Sequence, residues 1–200
     1  MKVDDITKIA QGKYINFFKA DGHGESGPDK IERNFVWEFF SRKNEVSTEP
    51  DSKESPADAV VVIALHVKDE HDTSPRLVLI KQFRPPVRDF VYELPAGIID
   101  PGEDAETAAK RELKEETGLD VIEIIDKSPK IYNSPGCTDE TCCVVTVACI
   151  GELSTSNLED NEFIETMLLT NNDMADIMRS DPIMGAKCWL VMGALDSILK

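Results

Sequence analysis

Short runs of apolar or alternating residues recur along the 200-residue chain at 14–18, 35–40, 59–67, 77–83, 91–94, 121–125, 142–150 and 163–169, and each predicts a β-strand. A period near 3.6 predicts helices over 105–117, 172–179 and 186–199. Many strands with few helices predict an α+β domain. The stretches DGHGESGPDK and STEPDSKESPAD, rich in Gly, Pro, Ser and charge, predict exposed loops. There is no internal repeat. The expected division is an N-terminal extension of strands over 1–45 and a main domain over 57–200.

Composition narrows the partners. The formal charge of -16 opposes a broad basic surface, so neither nucleic acid nor an anionic membrane is an expected partner, and a small phosphorylated ligand needs locally placed cations. The sequence holds no apolar run of membrane-spanning length and its start, MKVDDITKIAQGKY, lacks the apolar region of a secretory signal. An intracellular protein, cytoplasmic or nuclear, is expected. Cys137, Cys142, Cys143, Cys149 and Cys188 show no paired C-x2-C spacing, which predicts reduced structural thiols rather than a zinc or redox site. His23, His66 and His71 are scattered, and none is expected to be a ligand.

The chemistry concentrates in GIIDPGEDAETAAKRELKEETGL, where Gly97, Glu103, Arg111, Glu112, Leu113, Glu115, Glu116, Gly118 and Leu119 fall in the order G-x5-E-x7-R-E-U-x-E-E-x-G-U, U being aliphatic. Pro101-Gly102 predicts a turn, Asp104 an N-cap, and Gly118 a helix stop. On that helix Glu112, Glu115 and Glu116 lie at spacings of three and four, so their carboxylates leave one face within a single turn. Like charges this close repel, and a hard divalent cation relieves them; oxygen ligands of this kind suit Mg²⁺ or Mn²⁺. The alternative is a solvated acidic face in a chain that is acidic throughout.

This ordered set is the Nudix box, and the chain resembles the Nudix hydrolases, which cleave a nucleoside diphosphate linked to another group. IKQFRPPVRDFVYELPAGIID, together with Pro135 sixteen residues past Leu119, is similar to the ADP-ribose and ADP-sugar pyrophosphatase branch over roughly residues 12 to 170. The resemblance implies an α/β/α sandwich with a mixed sheet and the box as its loop-helix-loop. It also implies site residues. The carbonyl of Ala96 with Glu112, Glu115 and Glu116 would bind metal, those glutamates being catalytic through it. Arg111 would orient the box glutamates, with Gly97, Glu103 and Gly118 holding the box in shape. Arg84 would meet the phosphates or the terminal ribose. Trp37 and Tyr14 would stack on adenine, with Arg42 nearby, and Pro135 would border the substrate. Glu162, with Glu159 in reserve, would be the carboxylate of a late acidic loop.

The activity so implied is Mg²⁺-dependent hydrolysis of ADP-ribose or a related ADP-sugar to AMP and a sugar phosphate, by a homodimer whose N-terminal strands help complete the partner's adenine pocket. Three alternatives stay open at this stage. They are another nucleoside diphosphate derivative such as a dinucleoside polyphosphate or an oxidised nucleotide, a non-catalytic nucleotide-binding regulatory module, and an acidic protein-docking face coexisting with catalysis.

Overall fold

A computed structural model describes residues 1–69, 71–158 and 163–198. The chain divides into two compact units, one of Met1–Asp58 with Lys130–Cys142 and the other of Ala59–Pro129 with Cys143–Lys200.

The first unit is built on an antiparallel sheet in the order β1 (Lys2–Gln11), β2 (Asn16–Ser26), β3 (Ile31–Ser41). Register sets Phe17 opposite Phe40 and Phe18 opposite Phe39, with ring centroids 5.1 and 5.6 Å apart. Such cross-strand aromatic pairs are the unit of sheet stabilisation. Two expectations are corrected here, and one strand had no signal in the sequence. Tyr14 is not in a strand: the turn closed by the Gly12 N–H on the Ile15 carbonyl, 3.0 Å, holds it outside β2. The DGHGES segment is strand rather than loop, because Gly22 lies where any Cβ would strike the Lys2 carbonyl and the Phe35 ring; glycine here permits close strand approach. β1 gave no period-2 signal because register shifts between Val3 and Asp5 and between Lys8 and Ala10 interrupt its alternation. The short β9 (Ile131–Tyr132) pairs with Thr141 and Cys142.

The second unit carries β4 (Ala59–His66), β5 (Arg76–Arg84), β6 (Asp89–Glu93), β7 (Ala96–Ile98), α1 (Ala105–Thr117), β8 (Asp120–Lys127), β10 (Thr141–Ile150, from Cys143 on), β11 (Ile164–Leu169), α2 (Asn171–Arg179) and α3 (Ala186–Ile198). Its mixed sheet runs β11-β5-β4-β10-β8, with β6 on β5 and β7 on β4, in an α+β fold. β4, β5 and β10 are near-continuous apolar runs because both faces are covered, and Val60, Val62, Leu77, Val78, Leu79, Val145 and Val147 are buried. α1 packs on β4, β7 and β8, while α3 packs against β6 and α2 against β11. Among the described residues no helix is long and apolar enough to cross a membrane.

Candidate active site

The central helix is fixed at both ends by its own sequence. Asp104 accepts the Thr107 N–H at 2.8 Å, and Gly118 takes the left-handed conformation at φ 76°, donating its N–H to the Lys114 carbonyl at 3.0 Å. Ala108, Ala109 and Leu113 anchor the apolar stripe, which fixes the helix's rotation and turns Glu112 and Glu116 inward; they are 9% and 2% exposed. The Glu115 side chain keeps 46% exposure.

Arg111 binds the box together. It grips Glu103 with two nitrogens, Nε to Oε1 at 3.2 Å and Nη2 to Oε2 at 2.8 Å, and its Nη1 reaches Glu112 at 2.7 Å and Glu115 at 3.1 Å. Nη2 also donates to the Ile98 carbonyl at 2.9 Å, tying the helix to β7. These contacts hold the guanidinium charged more firmly than usual, Glu103 first among the causes. Glu103 in turn has its carboxyl held below the ordinary range by Arg111, and it accepts the Asp100 N–H at 3.2 Å, closing the loop that enters the helix. Glu116 accepts the Ala96 N–H at 3.1 Å. A Cβ at Gly97 would overlap the Glu112 carboxylate, so this position must lack a side chain.

The donor set suits a hard divalent ion. Three carboxylates, Glu103, Glu112 and Glu115, share one guanidinium, and Glu112 with the more deeply buried Glu116 flanks the Ala96-Gly97 backbone, leaving negative charge that water reaches poorly. Among the described residues no group of three or more acidic, histidine or cysteine side chains forms a ready-made cage.

Arg84 ends β5 at the Arg84-Pro85-Pro86 turn, where Val87 and Arg88 donate their N–H groups to its carbonyl. Its Nε donates to Glu93 Oε2 at 2.7 Å. In the first unit, β3 meets residues 134–140 through a row of contacts. Trp37 Nε1 donates to the Gly136 carbonyl at 3.0 Å, the Phe40 N–H to the Cys137 carbonyl at 2.8 Å, Ser41 Oγ to Asp139 at 3.1 Å, and Arg42 Nε to Glu140 Oε1 at 2.7 Å. Trp37 and Arg42 thus both bond the 134–140 segment, which contains Pro135, and Trp37 is 54% exposed. Tyr14 takes no part in that row; it is 70% exposed beneath Lys13 Nζ. Glu162 and Glu159 lie outside the described residues.

Sequence reasoning passed over Glu93, Glu140 and Asn133. Glu93 sits inside the quoted ELPAG segment and Glu140 closes the SPGCTDE run that contains Pro135, but an acid in a loop or strand end carries no mark of its partner until the fold supplies the arginine.

A NUDIX domain model matches residues 55–184, and the chain belongs to the Nudix family, whose hydrolases generally use divalent metal ions. Within it the chain is 49% identical over 107 residues to the ADP-ribose pyrophosphatase of Saccharomyces cerevisiae, covering 51% of this chain and 46% of that protein. It is 35% identical over 172 residues to the ADP-sugar pyrophosphatase of Mus musculus, covering 83% and 72%, and 35% identical over 146 residues to the ADP-ribose pyrophosphatase of Bacillus subtilis, covering 69% and 75%. The chain therefore spans about half the length of the yeast relative. The crystal structure of an ADP compounds hydrolase shares the fold, with a TM-score of 0.65 at 17% identity over 98% of this chain and 92% of that one.

Proposed function

We propose that this chain hydrolyses the diphosphate bond of ADP-ribose or a related ADP-sugar, water adding to one phosphorus as the bridging P–O bond breaks, to give AMP and a sugar phosphate. The carrying observation is the box itself: Glu112, Glu115 and Glu116 organised around Arg111 and the Ala96-Gly97 backbone, in a chain whose relatives bear ADP-ribose and ADP-sugar pyrophosphatase names. Glu112, Glu115 and Glu116 with the Ala96 carbonyl are the ligands assigned to Mg²⁺ or Mn²⁺, which when bound neutralises diphosphate charge and acidifies water. Arg111 bonds Glu112 and Glu115 through one nitrogen and so holds both carboxylates along the helix face, and Gly97 gives Glu112 its room. Arg84 supplies donors to the phosphates or terminal ribose, its Nε already fixed by Glu93. Trp37, half exposed, is assigned to stack on adenine, with Arg42 and Pro135 as further substrate contacts on the segment that Trp37 and Arg42 both bond. Tyr14 is kept as a second stacking aromatic on its exposure alone. Glu162, with Glu159 as its substitute, is the carboxylate that would orient the water or take its proton.

The same reading divides the chain into a 1–45 extension and a 57–200 hydrolase domain, and makes it a homodimer. Val36, Trp37 and Phe40 on β3 are each about half exposed or more, which supports a partner at this sheet. Sedimentation as a monomer at micromolar concentration removes the dimer. Five free cysteines, four of them buried, suit a reducing cytoplasm or nucleus.

The test is hydrolysis of ADP-ribose with Mg²⁺, following AMP, for the native chain beside Glu116→Gln, with ADP-glucose and diadenosine polyphosphates alongside. AMP release that falls by about a thousandfold in the variant supports the reading, since one charged oxygen ligand is lost from a stabilised transition state. A folded native chain that turns over no member of the panel rejects it.

A further inference from the structure

Both arginines assigned to the substrate are held in the same way. Arg42 and Arg84 each place Nε on a glutamate oxygen at 2.7 Å, Glu140 and Glu93 respectively, and among the described residues neither arginine makes a hydrogen bond through its Nη groups. We propose that Glu140 is a positioning residue for substrate binding: it clamps the Nε edge of Arg42 and so presents the two Nη groups to an anionic phosphate oxygen or a ribose hydroxyl. This rests on the reading of Arg42 as a substrate contact given above.

Glu140 is built to be a fixed point rather than a surface acid. Its Oε1 takes Arg42, its Oε2 takes Asn133 Nδ2 at 2.8 Å, and its own N–H donates to Thr138 Oγ1 at 3.1 Å. The next residue is locked too: Thr141 gives both its N–H and its hydroxyl to Asp58 Oδ2 at 2.7 Å. The Glu140 side chain is 24% exposed and Arg42 45%, so the pair lies at the surface with the carboxylate on the drier side. A free arginine of that exposure samples many rotamers, and ordering it on each binding event costs side-chain entropy. A charge-assisted bond to one edge of the planar guanidinium fixes its plane in advance, leaving the other edge for a ligand. Arg42 and Glu140 are 98 residues apart in sequence, and the juxtaposition exists only because β3 docks on 134–140.

A staple that merely holds the loop to β3 would alter unfolding temperature and leave the Michaelis constant alone. The discriminating experiment is therefore a double-mutant cycle on the full chain with ADP-ribose as substrate, reading KM, kcat and Tm for Arg42→Ala, Glu140→Ala, the double variant and Glu140→Gln. Positioning predicts that Glu140→Ala raises KM about tenfold with kcat within about twofold, as befits loss of one charge-assisted contact in binding. Glu140→Gln, which keeps an oxygen for Nε, recovers most of the loss. In the Arg42→Ala background the Glu140 change adds nothing further to KM. Should Glu140→Ala not fold, Glu140→Asp, one methylene short of the guanidinium, carries the same cycle. Additive effects on KM, or an unchanged KM at Glu140→Ala while Arg42→Ala raises it, overturn the positioning role and leave the contact by Arg42 standing. An unchanged KM at Arg42→Ala overturns both while turnover keeps the proposed activity. Absence of native turnover removes the activity on which they rest.

Discussion

Gly97 lacks a side chain because the Glu112 carboxylate occupies that volume. Gly97→Ala must therefore push Glu112 aside and loosen its bond to Arg111; the expected result is at least a tenfold fall in kcat with about 1–3 kcal/mol of stability lost, measured by steady-state kinetics and chemical unfolding. An unchanged kcat in the alanine variant would show that the carboxylate can work from elsewhere. At this scale the sequence marked the acids by spacing, since i, i+3 and i+4 positions share a helix face in any environment, and Gly97 by its place in the box. It did not mark what each arginine holds. Arg111 found Glu103, Glu112 and Glu115 within its own box, whereas the partners of Arg42 and Arg84 depended on strand register and loop docking.

Among the elements, α1 was legible from end to end because its signals are local: Asp104 caps it, Gly118 ends it, and good helix formers fill it. Asp104→Ala should remove the bond to the Thr107 N–H and lower the midpoint in urea at unchanged slope. The strands were legible in full where an apolar run is buried on both faces, as in β4, β5 and β10, and in part in the more exposed β3 and β8, while β1, β7 and β9 were missed. β1 is mostly exposed and twice out of register, β7 and β9 span three and two residues, and the glycines of β2 signal close approach as readily as a turn.

For the molecule as a whole, the thiols report folding. Cys142, Cys143, Cys149 and Cys188 are buried and Cys137 is exposed, so a thiol reagent should label one cysteine rapidly and the other four only on unfolding; a second fast thiol would contradict this packing. Burial pushes Cys149 up to about 12 and, with Glu93 adding to it, Cys188 up to about 12. The folded state then holds these protons more tightly than the unfolded chain, so their contribution is intact below about pH 8.5 and is lost as pH rises toward 12. On the acid side Glu103, held down by Arg111, contributes above its unfolded value near 4.3 and loses that contribution as pH falls through its lowered value. Unfolding midpoints measured across pH should fall on both flanks. By itself the sequence determined the acidic helix face, its caps, the buried strands and the family, because each is written in spacings of a few residues. The tertiary structure alone decided the space Gly97 leaves for Glu112 and the carboxylates that clamp Arg42 and Arg84. Those contacts join residues separated along the chain, and no local pattern specifies which distant group will arrive.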